Sequence, residues 1–201
     1  MIDIFVWLII AELIGLIIFP MSFHVFPRLK DRGYGVSKTL GILTISYLSW
    51  LLSVSHLVPN TQITLWLLVL ILFSVSCCVA WKSRKQLLTF VQFEYNTLIS
   101  IEFVFLTVFM FWVVYRAVDP SVNNTEQPMD FAFLNASIRT FFGSPEDPWL
   151  RGESISYYYF GYWMMSVLSK LSGIQSSITY NLSLALIPAL AASGMFALVF
   201  N

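Results

Sequence analysis

"IFVWLIIAELIGLIIFPMSF", residues 4–23, is a run of 20 residues interrupted by a single charge, Glu12. At 1.5 Å of rise per residue it makes a helix about 30 Å long, the thickness of a bilayer's hydrocarbon core. It starts behind Met1-Ile2-Asp3, without a basic leader, and exceeds the apolar stretch of a signal peptide, so it is expected to stay in the membrane. The rest of the chain has the same character. It is 58% hydrophobic and 11% charged, with a mean hydropathy of +0.76, whereas soluble domains carry about 25% charged residues. A formal net charge of zero gives no electrostatic argument for a polyanion, and no nucleic-acid partner is expected.

Five further stretches are long and apolar enough to be read as crossings: Thr39–Val58, Ile63–Trp81, Tyr95–Tyr115, Ser156–Leu171 and Ile178–Phe200. The expected fold is therefore all-α, a polytopic transmembrane helix bundle of about six spans. It divides into a four-span bundle over residues 1–115, a long loop over 116–155, and two further spans over 156–201. The last span carries Pro188, which removes one helical hydrogen bond. Because "LIPALAASGMFALVFN" ends at a span edge without a polar tail, the chain reads as an amino-terminal piece whose remaining helices belong to a longer chain or a partner subunit. Cys77 and Cys78, adjacent within an apolar run, lack zinc-ligand spacing and read as small packing residues.

Basic residues orient the bundle. Arg28, Lys30, Arg32 and Lys38 fall in "PRLKDRGYGVSK", Lys82, Arg84 and Lys85 in "WKSRK", and Lys170 in a turn near Gly173, which puts eight of the eleven Lys/Arg on one side. The positive-inside rule makes that side cytoplasmic and places the amino terminus and the long loop outside a plasma membrane. The loop holds Asp119, Glu126, Asp130, Glu146, Asp147 and Glu153, six of the eleven acids. It is too aromatic to be disordered and too long to be a bare connection.

Within it, "TEQPMDFAFLNASIRTFF" predicts a short helix. Pro128 suits the first turn, Asp130 complements the amino-terminal dipole, and Phe131, Leu134, Ile138 and Phe142 recur at helical spacing. Such a helix is expected in the interface with its aromatic face toward lipid. Gly143, Pro145 and Pro148 break it and turn the chain back toward the membrane. Tyr157, Tyr158 and Tyr159 read as an interfacial aromatic belt, but three consecutive residues cover about 200° of a helix, so one hydroxyl must point inward and needs a partner. Asp147 precedes proline and either shapes the turn or serves chemistry; Asp130 is either a helix-start carboxylate or a functional acid. Glu146 and Glu153 read as solvated or paired with Arg151. Glu12 and Glu102 lie inside spans, where an ionisable group must face the bundle with a partner that the sequence leaves unnamed. Asn123 and Asn135 stand in glycosylation sequons of the loop.

"RGYGVSKTLG", "EQPMDFAFLNASIR" and "DPWLRGESISYYYFGYW", in this order between apolar spans, closely resemble the YYY-type family of uncharacterised prokaryotic membrane proteins. That family in turn looks like the GT-C glycosyltransferases, polytopic enzymes that take a sugar from a polyprenyl-phosphate carrier and use a carboxylate of an outer loop. The resemblance implies a catalytic role for Asp147, in a Glu-Asp-Pro-Trp segment like that of oligosaccharyltransferase subunits, or for Asp130, in an acid-then-helix segment like that of the mannosyltransferase branch. The chosen acid would act as a base or would ligate a divalent cation, Mg²⁺ or Mn²⁺. Arg139 or Arg151 would pair with the phosphate, inward members of Tyr157, Tyr158 and Tyr159 would stack against sugar or isoprenoid, and Trp149 would join them in binding substrate. The long loop here follows the fourth span rather than the first. Two other classes stand beside this one: a non-catalytic membrane scaffold whose loop docks another chain, and a transporter that relies on Glu12 and Glu102.

Overall fold

The computed structural model describes residues 1–201 and contains seven helices. They are α1 (Ile2–Val25), α2 (Tyr34–Val54), α3 (Gln62–Phe93), α4 (Tyr95–Val118), α5 (Gln127–Arg139), α6 (Phe160–Ser172) and α7 (Ser176–Phe200). The protein is all-helical, as the apolar runs require. Four helices, α1, α3, α4 and α7, are long and apolar enough to cross a membrane. The 21-residue α2 is more polar but rises about 31 Å and runs the length of the bundle. Near its start, Gly35 packs on Ser193 and Ala197 of α7, and at its end the Ser53 carbonyl accepts the Gly143 amide.

Interior position explains the composition of α2. Of its four buried serines, Ser37 and Ser49 donate to carbonyls one turn back at 2.8 and 2.9 Å and Ser53 donates to the Gly143 carbonyl at 3.4 Å, while the Ser46 hydroxyl is buried without a partner. Small residues also let α1 and α2 approach closely. A Cβ on Gly15 would lie 2.6 Å from Lys38 Cγ, and one on Gly41 would lie 2.9 Å from the Ile14 carbonyl oxygen. Around this seam the main core gathers Trp7, Ile14, Ile45, Leu65, Phe105, Phe109, Trp163 and Leu186.

Lys38 is where sequence and structure first part. Expected in a basic loop, it lies inside α2 with its side chain 6% exposed, 3.2 Å from Glu12 and hydrogen-bonded to Glu102. The cause is an earlier helix start. Asp31 accepts the amides of Gly33 and Gly35 at 3.0 and 2.9 Å, so α2 begins at Tyr34 and draws Lys38 one turn into the bundle. The lysine supplies the partner that Glu12 and Glu102 require, and one ammonium ties α1, α2 and α4 together. Cys77 and Cys78 also differ from expectation, being exposed on α3 rather than packed.

The fifth expected crossing, Ser156–Leu171, does not form. Tyr157–Tyr159 are not helical, and Gly173, at φ 67, ends α6 after 13 residues. Thirteen residues rise about 20 Å, short of the hydrocarbon thickness. Both ends of α6 lie at the same end of the bundle. Ahead of its first turn Tyr159 meets Trp50, and near its last turn Lys170 donates to the carbonyls of Asn60 and Thr140 at 2.6 and 3.1 Å. Lys170 therefore sits opposite the basic connections with which it was grouped. α7 runs in the opposite sense to that expected, from Asn181, bonded to Arg116 at the end of α4, to Asn201, bonded to Asp31.

α5 starts as read, with proline and Asp130 in its first turn and Arg139 in its last. Its aromatic face, however, meets protein instead of lipid. Phe133, Leu134, Ala136 and Ser137 are buried on α6 and its flanks, and Phe131 meets Tyr180 edge-on at 5.6 Å. α6, more than half buried, lies between α5 and the bundle.

Replacing Lys38 by Met leaves two interior carboxylates without their cation and is expected to cost about 3–5 kcal/mol. The triple change Glu12→Gln, Lys38→Met, Glu102→Gln removes all three charges and should recover most of that loss. Thermal unfolding of the two variants in one detergent measures the difference.

Candidate functional site

The segment after α5 is folded tightly. The Ile155 amide donates to the Pro145 carbonyl at 3.0 Å and the Asp147 amide to the Glu153 carbonyl at 2.8 Å, which closes a small loop. Side chains set its curvature. Asp147 Oδ1 accepts the amides of Trp149 and Leu150 at 2.8 and 3.1 Å, Glu146 Oε1 accepts the Gly152 amide at 2.8 Å, and Gly152 takes φ 88. The loop is strapped to the bundle. Asn60 donates its amide to Phe141, Gly143 donates to Ser53, and His56 stacks on Phe142 with centroids 5.6 Å apart.

Between this loop and the end of α5 lies a cleft of about 560 Å³ lined by Arg139, Thr140, Ser144, Glu146, Asp147, Trp149 and Arg151, among others. Four residues singled out from the sequence thus share one cavity wall: Asp147, Arg139, Arg151 and Trp149. Both guanidinium groups belong to exposed residues, and neither is paired with a carboxylate; the chain's two ion pairs are those of Lys38. Of the two readings of Glu146 and Glu153, solvated or paired with Arg151, the pairing does not occur. Asp147 shapes the turn with one oxygen and also borders the cleft.

Asp130 lies elsewhere. It accepts the Tyr162 hydroxyl and so fastens α5 to α6, while burial and this carboxylate together push the Tyr162 phenol well above its usual range. Of the triplet, Tyr157 and Tyr158 are exposed and only Tyr159 turns inward. Its hydroxyl accepts from Trp50 Nε1 at 2.8 Å and donates to Ser144 Oγ at 3.3 Å. Tyr159 also lines a second, apolar groove of about 430 Å³ with Tyr47, Trp50, Tyr157, Tyr158 and Phe160. Since Ser144 borders the polar cleft, the Tyr159–Ser144 contact is a wall common to both. Glu12 and Glu102 lie away from this site, in the ion triad.

A divalent cation is poorly served here. No group of three or more His, Cys, Asp or Glu side chains gathers anywhere in the protein. Glu146 and Asp147 each spend one oxygen on backbone amides, and two guanidinium groups already supply positive charge beside them. The arrangement suits an anion carried by paired guanidinium groups, with a carboxylate at its side.

The sequence did not show the structural roles of two residues at this end. Arg116, 7% exposed, donates to Asn181 Oδ1 and to the Ser121 carbonyl at 2.8 and 2.9 Å, joining α4, α7 and the start of the long loop. Lys170 holds the end of α5 to the α2–α3 connection. The signal for Lys170 was present in the short interval between the tyrosine triplet and Gly173.

In comparison with known proteins, residues 44–201 match the family described as "Uncharacterized membrane protein (DUF2298)". No curated protein and no solved structure matches the chain.

Burial lowers the Lys170 ammonium from its usual 10.5 to about 8. Between those values the folded chain has released a proton that the unfolded chain keeps, so stability should rise with pH from about 8 to about 10.5. Melting temperatures across that window, for the protein and for Lys170→Met, check this: the variant should lose the increment.

Proposed function

We propose, for a chain that belongs to the DUF2298 family of uncharacterised membrane proteins, that the cleft at the α5 end binds a lipid-linked phosphorylated sugar and that the protein is a GT-C-like transferase. The observation that carries this reading is the meeting of a polar cleft, with two unpaired guanidinium groups and a carboxylate, and an aromatic groove across the Tyr159–Ser144 contact. An amphiphile needs both. Arg139 and Arg151 hold the phosphate in a fork, Trp149 offers a face to the sugar, and the isoprenoid lies along Tyr47, Trp50 and Phe160. The Asp147 oxygen that the turn leaves free takes the proton of the acceptor hydroxyl as the hydroxyl oxygen attacks the glycosyl carbon; the bond from that carbon to the phosphate oxygen breaks, and the polyprenyl phosphate leaves with its charge held by Arg139 and Arg151. Asp130, committed to Tyr162, acts by positioning α5.

The α5 end faces the exterior in this reading. Arg28, Lys30, Arg32, Lys82, Arg84 and Lys85 remain together at the other end after Lys38 and Lys170 leave the count, and they favour the cytoplasm. The pairing of Glu12 and Glu102 by one lysine supports helix fastening over ion transport.

In the full-length protein, Asp147→Asn retains an oxygen for the turn amides but cannot accept a proton. It should lower transfer of labelled sugar from a polyprenyl-phosphate donor by about 10²–10⁴-fold at unchanged membrane abundance. Asp130→Asn should keep most of its turnover; full activity in Asp147→Asn would exclude this mechanism.

A further inference from the structure

The opposite end of the bundle holds a third cavity, a groove of about 670 Å³, where the α1–α2 connection meets the far part of α3. Lys30, Arg32 and Lys85 line it with Phe23, Phe90 and Phe93. Phe23 and Phe90 meet edge-on at 5.3 Å, and the Arg32 guanidinium lies 5.0 Å from the centre of the Phe23 ring. Arg32 is held there at some cost, because its φ of 52 falls in the left-handed region that non-glycine residues rarely occupy.

The nearby acids do not neutralise these cations. Asp31 is 1% exposed and spends its oxygens on the amides of Gly33 and Gly35 and on Asn201. Glu94, which borders the groove, accepts the Thr97 hydroxyl at 2.9 Å. None of the three cations forms an ion pair. The groove lies beside the last turn of α1, so its aromatic wall continues the apolar surface of a membrane-crossing helix.

We infer that this groove is a binding site for the headgroup of an anionic phospholipid, with the phosphate among Lys30, Arg32 and Lys85 and the first acyl carbons against Phe90 and Phe93. Basic residues at one end of a membrane bundle are common for reasons of orientation alone. What distinguishes these three is convergence: two separate elements bring them to one aromatic-walled groove, whereas Arg28, Lys82 and Arg84 at the same end lie outside it. Phosphate at a bilayer surface, attached to an apolar chain, matches both halves of the lining.

The test uses the purified full-length protein in neutral detergent, titrated with phosphatidylglycerol, with phosphatidylcholine and with inorganic phosphate in separate arms, and followed by native mass spectrometry. Phosphatidylglycerol should bind at least about tenfold tighter than phosphatidylcholine, and inorganic phosphate should not displace it. The triple variant Lys30→Gln, Arg32→Gln, Lys85→Gln should lose on the order of tenfold or more in affinity. Arg28→Gln, Lys82→Gln, Arg84→Gln, which removes the same charge from the same end, should lose much less. Equal losses in the two triples would show a diffuse charge effect and overturn the site, as would displacement by phosphate alone or no preference for the anionic lipid. If the groove triple fails to fold, the single exposed change Lys85→Gln carries the same comparison against Lys82→Gln, with a loss of about fivefold expected only in the former.

Discussion

A helix of 13 residues rises about 20 Å, and that shortfall against the bilayer organises the end of the protein that carries the candidate cleft. Because α6 cannot cross, both its ends stay with the ends of α1, α2 and α3, and α5 can lie on top of it. Trp163, fully buried, donates to the Ser46 carbonyl and Ser49 hydroxyl and seats α6 against α2. Lys170 then joins the α2–α3 connection to the end of α5 through two carbonyls. A crossing α6 would carry Lys170 to the far face, and the Thr140–Ser144 segment that forms one wall of the cleft would lose this support.

The platform beneath depends on a different economy of charge. Two carboxylates and one ammonium are costly inside a membrane, and they are kept because each is partnered within the bundle. The triad joins three helices, the Gly15 and Gly41 seam lets two of them come close, and α4 packs along α7, linked at its end through Arg116 and Asn181. Rigid crossings below and hydrogen-bonded loops above together give a fixed cleft, which is where the proposed amphiphilic ligand would present its polar part.

Apolar runs made α1, α3, α4 and α7 legible, since length and hydropathy alone decide a crossing. The start of α5 was legible from Pro128 and Asp130, whose preferences are local. α6 was not, because Ser156–Leu171 is apolar enough to cross and only the non-helical path of the tyrosines shortens it. Lys38 was misplaced for a related reason. A lysine next to a basic loop is normally part of it, and only the Asp31 cap shows that the helix has already begun. The gathering of Asp147, Arg139, Arg151 and Trp149 was named residue by residue, yet the cleft depends on loop closure between Pro145 and Ile155, a contact with no local signature.

Side-specific labelling of the α6–α7 connection tests this arrangement most directly. With Cys77 and Cys78 replaced by serine, single cysteines at Ser154, Gln175 and Arg28 are exposed to a membrane-impermeant maleimide in intact and in permeabilised cells. Ser154→Cys and Gln175→Cys should label together, and Arg28→Cys should show the opposite behaviour. Labelling of Gln175→Cys in step with Arg28→Cys would mean that α6 crosses the membrane, and the cleft as described would not exist.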